Sequence, residues 1–250
     1  MSSYDSIMLY FPIPSMNLVF DALIEHTIYI GPDKQLILPD SKVINVPFKI
    51  QSYITPGDVL SLSYQTAGYH FGLGLWCKVD QHVEDYMRGY FVPHQPKEEL
   101  EAALNEYTKI ENGEKSFFLP AFKCRIDIGL KYVEFEFISS LSTYNDMINE
   151  STALAEVFVD ILHRGKGLFG LIKRDEGVYS PYGNTDAILG DPQHRRVAQR
   201  YYRPIDRAAS TNQSASAMGS ASAMGSSDLD AYVDDVYREI SALDQSSQLG

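Results

Sequence analysis

A break near residue 210 constrains this chain more than any motif in it. Residues 210–226 read STNQSASAMGSASAMGS, with no charge, no aromatic and a near-repeat of ASAMGS. Such a stretch cannot bury enough apolar surface to offset the entropy of ordering it, so it predicts a mobile linker. Folding is therefore expected on either side of it: a globular body over 1–209 and a short segment over 227–250. The tandem ASAMGS also has the look of an engineered spacer, in which case the segment beyond it would be a tethered peptide.

That last segment has one sticky face. Leu229, Tyr232, Val233, Val236, Tyr237, Ile240 and Leu243 recur at helical spacing, and at 100° per residue they share an arc of roughly 140°. Ser227 is placed to cap the first turn, and Asp228 and Asp230 set negative charge against the positive end of the helix dipole. A lone helix of about fifteen residues is marginal in water, so this one needs a groove to fold into. Three grooves are open to it: its own body, a different protein, or a second copy of the chain. A Gly/Ser-type linker of this length spans roughly 20–25 Å r.m.s., which reaches any of them.

Composition narrows the partners. The chain of 250 residues has a net charge of −12, which argues against nucleic-acid and anionic-membrane binding and suits protein partners, basic ones among them. No apolar run approaches the eighteen or so residues of a membrane span. Met1 to Met16 lacks the basic and long apolar regions of a secretion signal. Cys77 and Cys124 are the two cysteines, too few for a disulfide framework and consistent with a reducing cytoplasm, although one bridge between them is compatible with the count.

Within the body, period-two alternation dominates. Ile44, Val46, Phe48, Ile50 and Ile54 share one face, and the internal Pro47 predicts an edge or bulged strand. Leu60, Leu62 and Tyr64 form a second run after the Thr55-Pro56-Gly57-Asp58 turn. Tyr69 to Val79 places Tyr69, Phe71, Leu73, Leu75, Cys77 and Val79 on one side and His70, Gly72, Gly74, Trp76 and Lys78 on the other. Residues 122–138 read as a hairpin turning near Gly129.

Helices are predicted from Pro96 to about Ile110, ending before Asn112-Gly113, and from Asn149 or Ser151 to about His163. A third runs from Asp191, with Pro192 at its first position, to Pro204. The expected fold is α+β: a mainly antiparallel sheet with two or three packed helices, then the linker and the amphipathic helix.

Chemistry is thinly marked. On the third helix Arg195, Arg196, Arg200 and Arg203 share an arc that could grip phosphates or carboxylates, or simply be solvated. They could also face the acidic tail helix. His70, His82 and His94 are evenly spaced around Cys77, Glu84 and Asp85, but no CxxC or HExxH pairing fixes two metal ligands. Gly72-Leu73-Gly74 and Gly165 to Gly170 lack the order of nucleotide-binding loops, and no GxSxG elbow occurs. No catalytic residue, metal or cofactor is expected. The leading expectation is a non-enzymatic interaction or assembly protein that docks a partner, or another copy, through the tail helix. The alternative is a domain that binds or turns over a phosphate-bearing ligand on the arginines.

Overall fold

The computed structural model describes residues 5–27, 34–38, 41–46, 49–50, 59–61, 69–91, 96, 99–139, 145–173, 179–180, 188–201 and 226–247. The chain opens with β1 (Ser6–Pro12), buried at every position but its last. A near-continuous apolar run of this kind suits a strand covered on both faces. A 3-10 turn (Ile13–Ser15) leads into α1 (Met16–Glu25). Then β2 (Lys34–Ile37), β3 (Val43–Val46) and β5 (Val59–Ser61) form a small sheet in the order β3-β2-β5. Between them, β4 (Lys49–Ile50) crosses to the main sheet and pairs with β6 (Tyr69–Lys78). The expected alternating run over 44–54 is thus divided between two sheets on either side of Pro47-Phe48, which lie outside the described residues together with 51–58.

α2 (Gln81–Phe91) and α3 (Leu100–Glu106) precede the hairpin of β7 (Thr108–Glu111) and β8 (Glu114–Ile128). β9 (Tyr132–Ser139), α4 (Asn145–Glu150), α5 (Thr152–Arg164) and β10 (Phe169–Lys173) follow. Short β11 (Tyr179–Ser180) and β12 (Ile188–Leu189) come before α6 (Pro192–Tyr201) and α7 (Ser226–Ser247). The main sheet runs β11-β10-β1-β9-β8-β6-β4, with β12 also on β10 and β7 also on β8. Its pairings are antiparallel throughout, so the chain is α+β as expected.

Helices cover the inner face of that sheet and part of its outer face. On the inner face Phe11 and Phe20 meet Phe135 edge-on at 5.5 and 5.6 Å, and Phe137 lies 4.9 Å from Phe158. Thus α1 and α5 pack against β1 and β9 through rings whose offset geometry adds to their burial. Helix α5 starts as its sequence requires: the Ser151 hydroxyl accepts the Leu154 N–H at 3.0 Å. Asp80 ties this start to another. Its carboxylate accepts the Val83 N–H at the head of α2, the Ala153 N–H in α5 and the Ser151 hydroxyl, at 2.9, 3.1 and 2.7 Å. Burial works against its charge, but these three donors outweigh that and hold its carboxyl below the usual value.

Two expectations need correction. The helix predicted over 96–110 is only Leu100–Glu106, because Thr108–Glu111 is a strand. Asn112 and Gly113 have φ of 52° and 81°. Both central residues being left-handed makes this the tight hairpin turn that pairs Glu111 with Glu114, rather than a helix stop. Secondly, α1 and α2 stand in a region predicted to be mostly strand. In α2, Val83, Tyr86 and Met87 are buried at helical spacing behind the Asp80 cap. Cys77 and Cys124 are unbridged. They sit on β6 and β8 at different registers, opposite Phe117 and Phe71.

Candidate functional site

The outer face of the sheet carries a second apolar cluster, separate from the main core. Met8 and Tyr10 of β1, Phe169 and Leu171 of β10, Ile188 of β12 and Val197 and Ala198 of α6 form its floor and one wall. Alternation along β1 sends these two residues outward while Ile7, Leu9 and Phe11 go inward. Helix α7 closes the cluster: Tyr232, Val233, Val236 and Ile240 are buried there, with Tyr237 and Leu243 packed at its rim. Leu229 begins the same face, but its side chain lies outside the described residues.

An aromatic row runs beneath the helix. Tyr232 meets Phe169 edge-on at 6.1 Å, and Phe169 stacks on Tyr10 at 4.9 Å. Tyr10 meets Tyr132 at 5.9 Å, and Tyr132 reaches Tyr237 at 6.0 Å. The two helix tyrosines therefore grip a row of three rings laid across β10, β1 and β9. One polar contact fixes the helix against its neighbour: the Tyr232 hydroxyl donates to the Ala198 carbonyl at 2.9 Å.

Charge frames the groove at its edges. Arg200 of α6 pairs with Glu239 of α7, and Lys131 reaches Asp234 at 3.2 Å. Arg200 and Lys131 are exposed, so these pairs orient the helix more than they hold it. Of the arginines singled out from sequence, Arg200 thus faces the acidic helix. Arg195 is half-buried and Arg196 exposed on α6, while Arg203 lies outside the described residues. The wall of α6 is set as its sequence predicts, by Asp191 accepting the Gln193 N–H at 2.7 Å, and His194 bonds the Leu168 carbonyl at 2.9 Å.

Beyond the groove the same face turns polar. Across the strands, Met8 lies opposite Glu136 and Glu136 opposite Arg125, while Tyr10 lies opposite Glu134 and Glu134 opposite Asp127. Ser6 donates to Glu136 at 2.8 Å, and Arg125 bridges to Asp127 at 2.8 Å. Burial pushes the Glu134 carboxyl up to about 7, against the pull of a hydrogen bond from Tyr10. None of these residues stands out in the sequence. The signal that could have found the groove is the SIMLYFP run, which alone demands cover on both faces.

Other sequence candidates stay apart. His82 reaches Glu150 at 3.8 Å, the His70 side chain and His94 lie outside the described residues, and His163 sits at the end of α5. Among the described residues, no group of three His, Cys, Asp or Glu is placed to hold a metal ion. Both thiols are buried, which raises the Cys77 pKa to about 12 and the Cys124 pKa well above its usual value. No described helix is long and apolar enough to cross a membrane. No family model matches the chain, and neither a curated protein nor a solved structure matches it.

Proposed function

We propose that this is a non-enzymatic interaction or assembly protein whose C-terminal helix is a tethered clasp, exchanged between its own outer groove and that of a second copy. One observation carries the reading. The apolar arc of α7 fills a cluster that is separate from the main core, and α7 is joined covalently to α6 only through residues 202–225. Those 24 residues could extend at most about 80 Å, far more than the width of one domain. The groove is identical in every copy, so a helix seated on a neighbour makes the same contacts it makes at home. Tethering favours home at low concentration, since a linker of this length gives an effective concentration of order millimolar. Crowding in an assembly reverses that preference.

The test is light-scattering mass over a concentration series, for the full chain and for Val236→Asp. Val236 is fully buried, so an aspartate there expels the helix from any groove, its own or a neighbour's. Concentration-dependent dimers in the wild type, lost in Val236→Asp, support the clasp. A wild-type chain that stays monomeric at millimolar concentration, and that does not bind an added 226–247 peptide, refutes it.

A further inference from the structure

A cleft of about 410 Å³ opens between the β6–β8 end of the sheet, the end of α1 and the start of α5. Its aromatic wall is Trp76, the single tryptophan of the chain. That ring is braced from behind. Phe118 lies 5.4 Å away and Tyr107 stacks on Phe118 at 6.4 Å. Gly74 makes the brace possible, because a Cβ there would fall 2.3 Å from the Phe118 ring. The backbone is pinned too, with the Trp76 N–H donating to the His26 carbonyl at 2.7 Å. So a half-buried indole is held fixed at a cleft wall, and its face is already occupied by a cation: the Lys109 ammonium sits 4.7 Å from the ring centroid.

The charges around it decide what else would bind. Both lysines of the cleft are matched, Lys78 to Glu114 at 2.9 Å and Lys109 to Glu111 at 3.2 Å. An anion would meet a surplus of carboxylates, because Glu111, Glu114 and Glu156 outnumber the two lysines in the lining. Glu156 lines the same cleft, is exposed, and has no ion-pair partner among the described residues. Cations over an indole are attracted by its negative face, and carboxylates at the rim add hydrogen-bond acceptors. A single ring flanked by carboxylates suits an N–H-bearing ammonium better than a methylated one, which prefers several rings around it.

We infer that this cleft binds a primary alkylammonium group on the face of Trp76, with Lys109 as an internal occupant that the ligand displaces and Glu111 and Glu156 as its acceptors. The inference is independent of the clasp, whose groove shares none of these residues. Two sources present that chemistry, a free amine and a lysine side chain on a peptide, and the test separates them. The full-length protein is titrated, at constant ionic strength, with 1,5-diaminopentane, with an acetyl-Gly-Lys-Gly amide and with tetramethylammonium chloride, reading Trp76 fluorescence. A saturable change with the diamine or the peptide is expected, the tighter probe naming the source, and tetramethylammonium should bind more weakly than either. Lys109→Ala empties the ring face and leaves Glu111 unmatched, so it should tighten binding about fivefold, while Glu156→Gln should weaken it by a similar factor. No saturable change with either amine in both wild type and Lys109→Ala overturns the site. So does unchanged or weaker binding in Lys109→Ala with its circular dichroism intact, or tetramethylammonium matching the amines.

Discussion

Replacing Ile240 with alanine separates a clasp from an ordinary last helix. Ile240 is fully buried in the outer cluster, beside Val236 one turn earlier. Truncating a buried isoleucine removes its transfer energy and leaves a cavity, about 2–5 kcal/mol in general. Taking about 3 kcal/mol, the docking equilibrium of α7 shifts by a little over a hundredfold. The question is which amides feel that shift. If α7 opens on its own, only its own hydrogen bonds become exchangeable more often. The bonds of β1 run to β9 and β10 within the sheet, and do not depend on the helix.

Hydrogen exchange read by mass spectrometry gives the answer segment by segment. In Ile240→Ala, peptides covering 226–247 should lose about two decades of protection while those covering β1 and β9 keep theirs. Phe137→Ala provides the opposite case. Phe137 is fully buried on the inner face against Phe158, so its loss should lower protection in β1 and β9 first. Should Ile240→Ala cost β1 and β9 as much protection as α7, the helix and the sheet are one cooperative unit. In that case α7 does not detach on its own, and it is no clasp.

Two further outcomes follow from single carboxylates. Asp80→Ala removes the cap of α2 and the acceptor that joins Ser151 and Ala153 to it, worth about 2–3 kcal/mol together. For a chain of this size that lowers the melting temperature by roughly 5–10 °C, and a loss under about 2 °C would contradict the double-cap reading. Glu134 bears on pH. Its carboxyl is raised by burial from 4.5 to about 7, so the folded state holds the proton more tightly across that window. Its contribution to stability is therefore greatest below the lower value and is lost as pH rises through the upper one. Glu134→Gln should flatten that part of a urea-midpoint-against-pH curve and stabilise the protein at pH 8 relative to wild type; an unchanged slope would mean Glu134 ionises normally.

The elements legible in the sequence are those whose local signals agree. Ser151 caps α5, Asp191 and Pro192 open α6, and Cys124 to Ile128 alternate as a strand should. The helical period of the tail likewise gives α7 its range to within a few residues at each end. What failed to show was decided at long range or by an ambiguous pair. Asn112-Gly113 can end a helix or turn a hairpin, and only the partner strand from Glu114 settles which. Met8 and Tyr10 belong to a run with no periodicity, so nothing local tells which side chains face which layer. Trp76 is legible as an outward residue of β6, yet Lys109 reaches it from a strand read as helix.

The outer face also explains why some helix must cover this groove, and which part of it. Alternation on β1 delivers Met8 and Tyr10 outward, and on β10 it delivers Phe169 and Leu171. Alternation on β9, one strand over, delivers Glu134 and Glu136 at the registers opposite those same β1 residues. The apolar half thus ends on β9, where Tyr132 is its last ring and Glu134 and Glu136 follow on the same face. Helix α6 covers part of it with Val197 and Ala198, and the remaining rings would face water if α7 left. An occupant must therefore bring a narrow apolar stripe with an aromatic on each edge, to meet Phe169 and Tyr132, and acids on its flank for Arg200 and Lys131. The tail helix has that pattern. Its exposed ion pairs set register and direction, and the four buried side chains supply the affinity, so docking should survive high salt but not the loss of Val236 or Ile240.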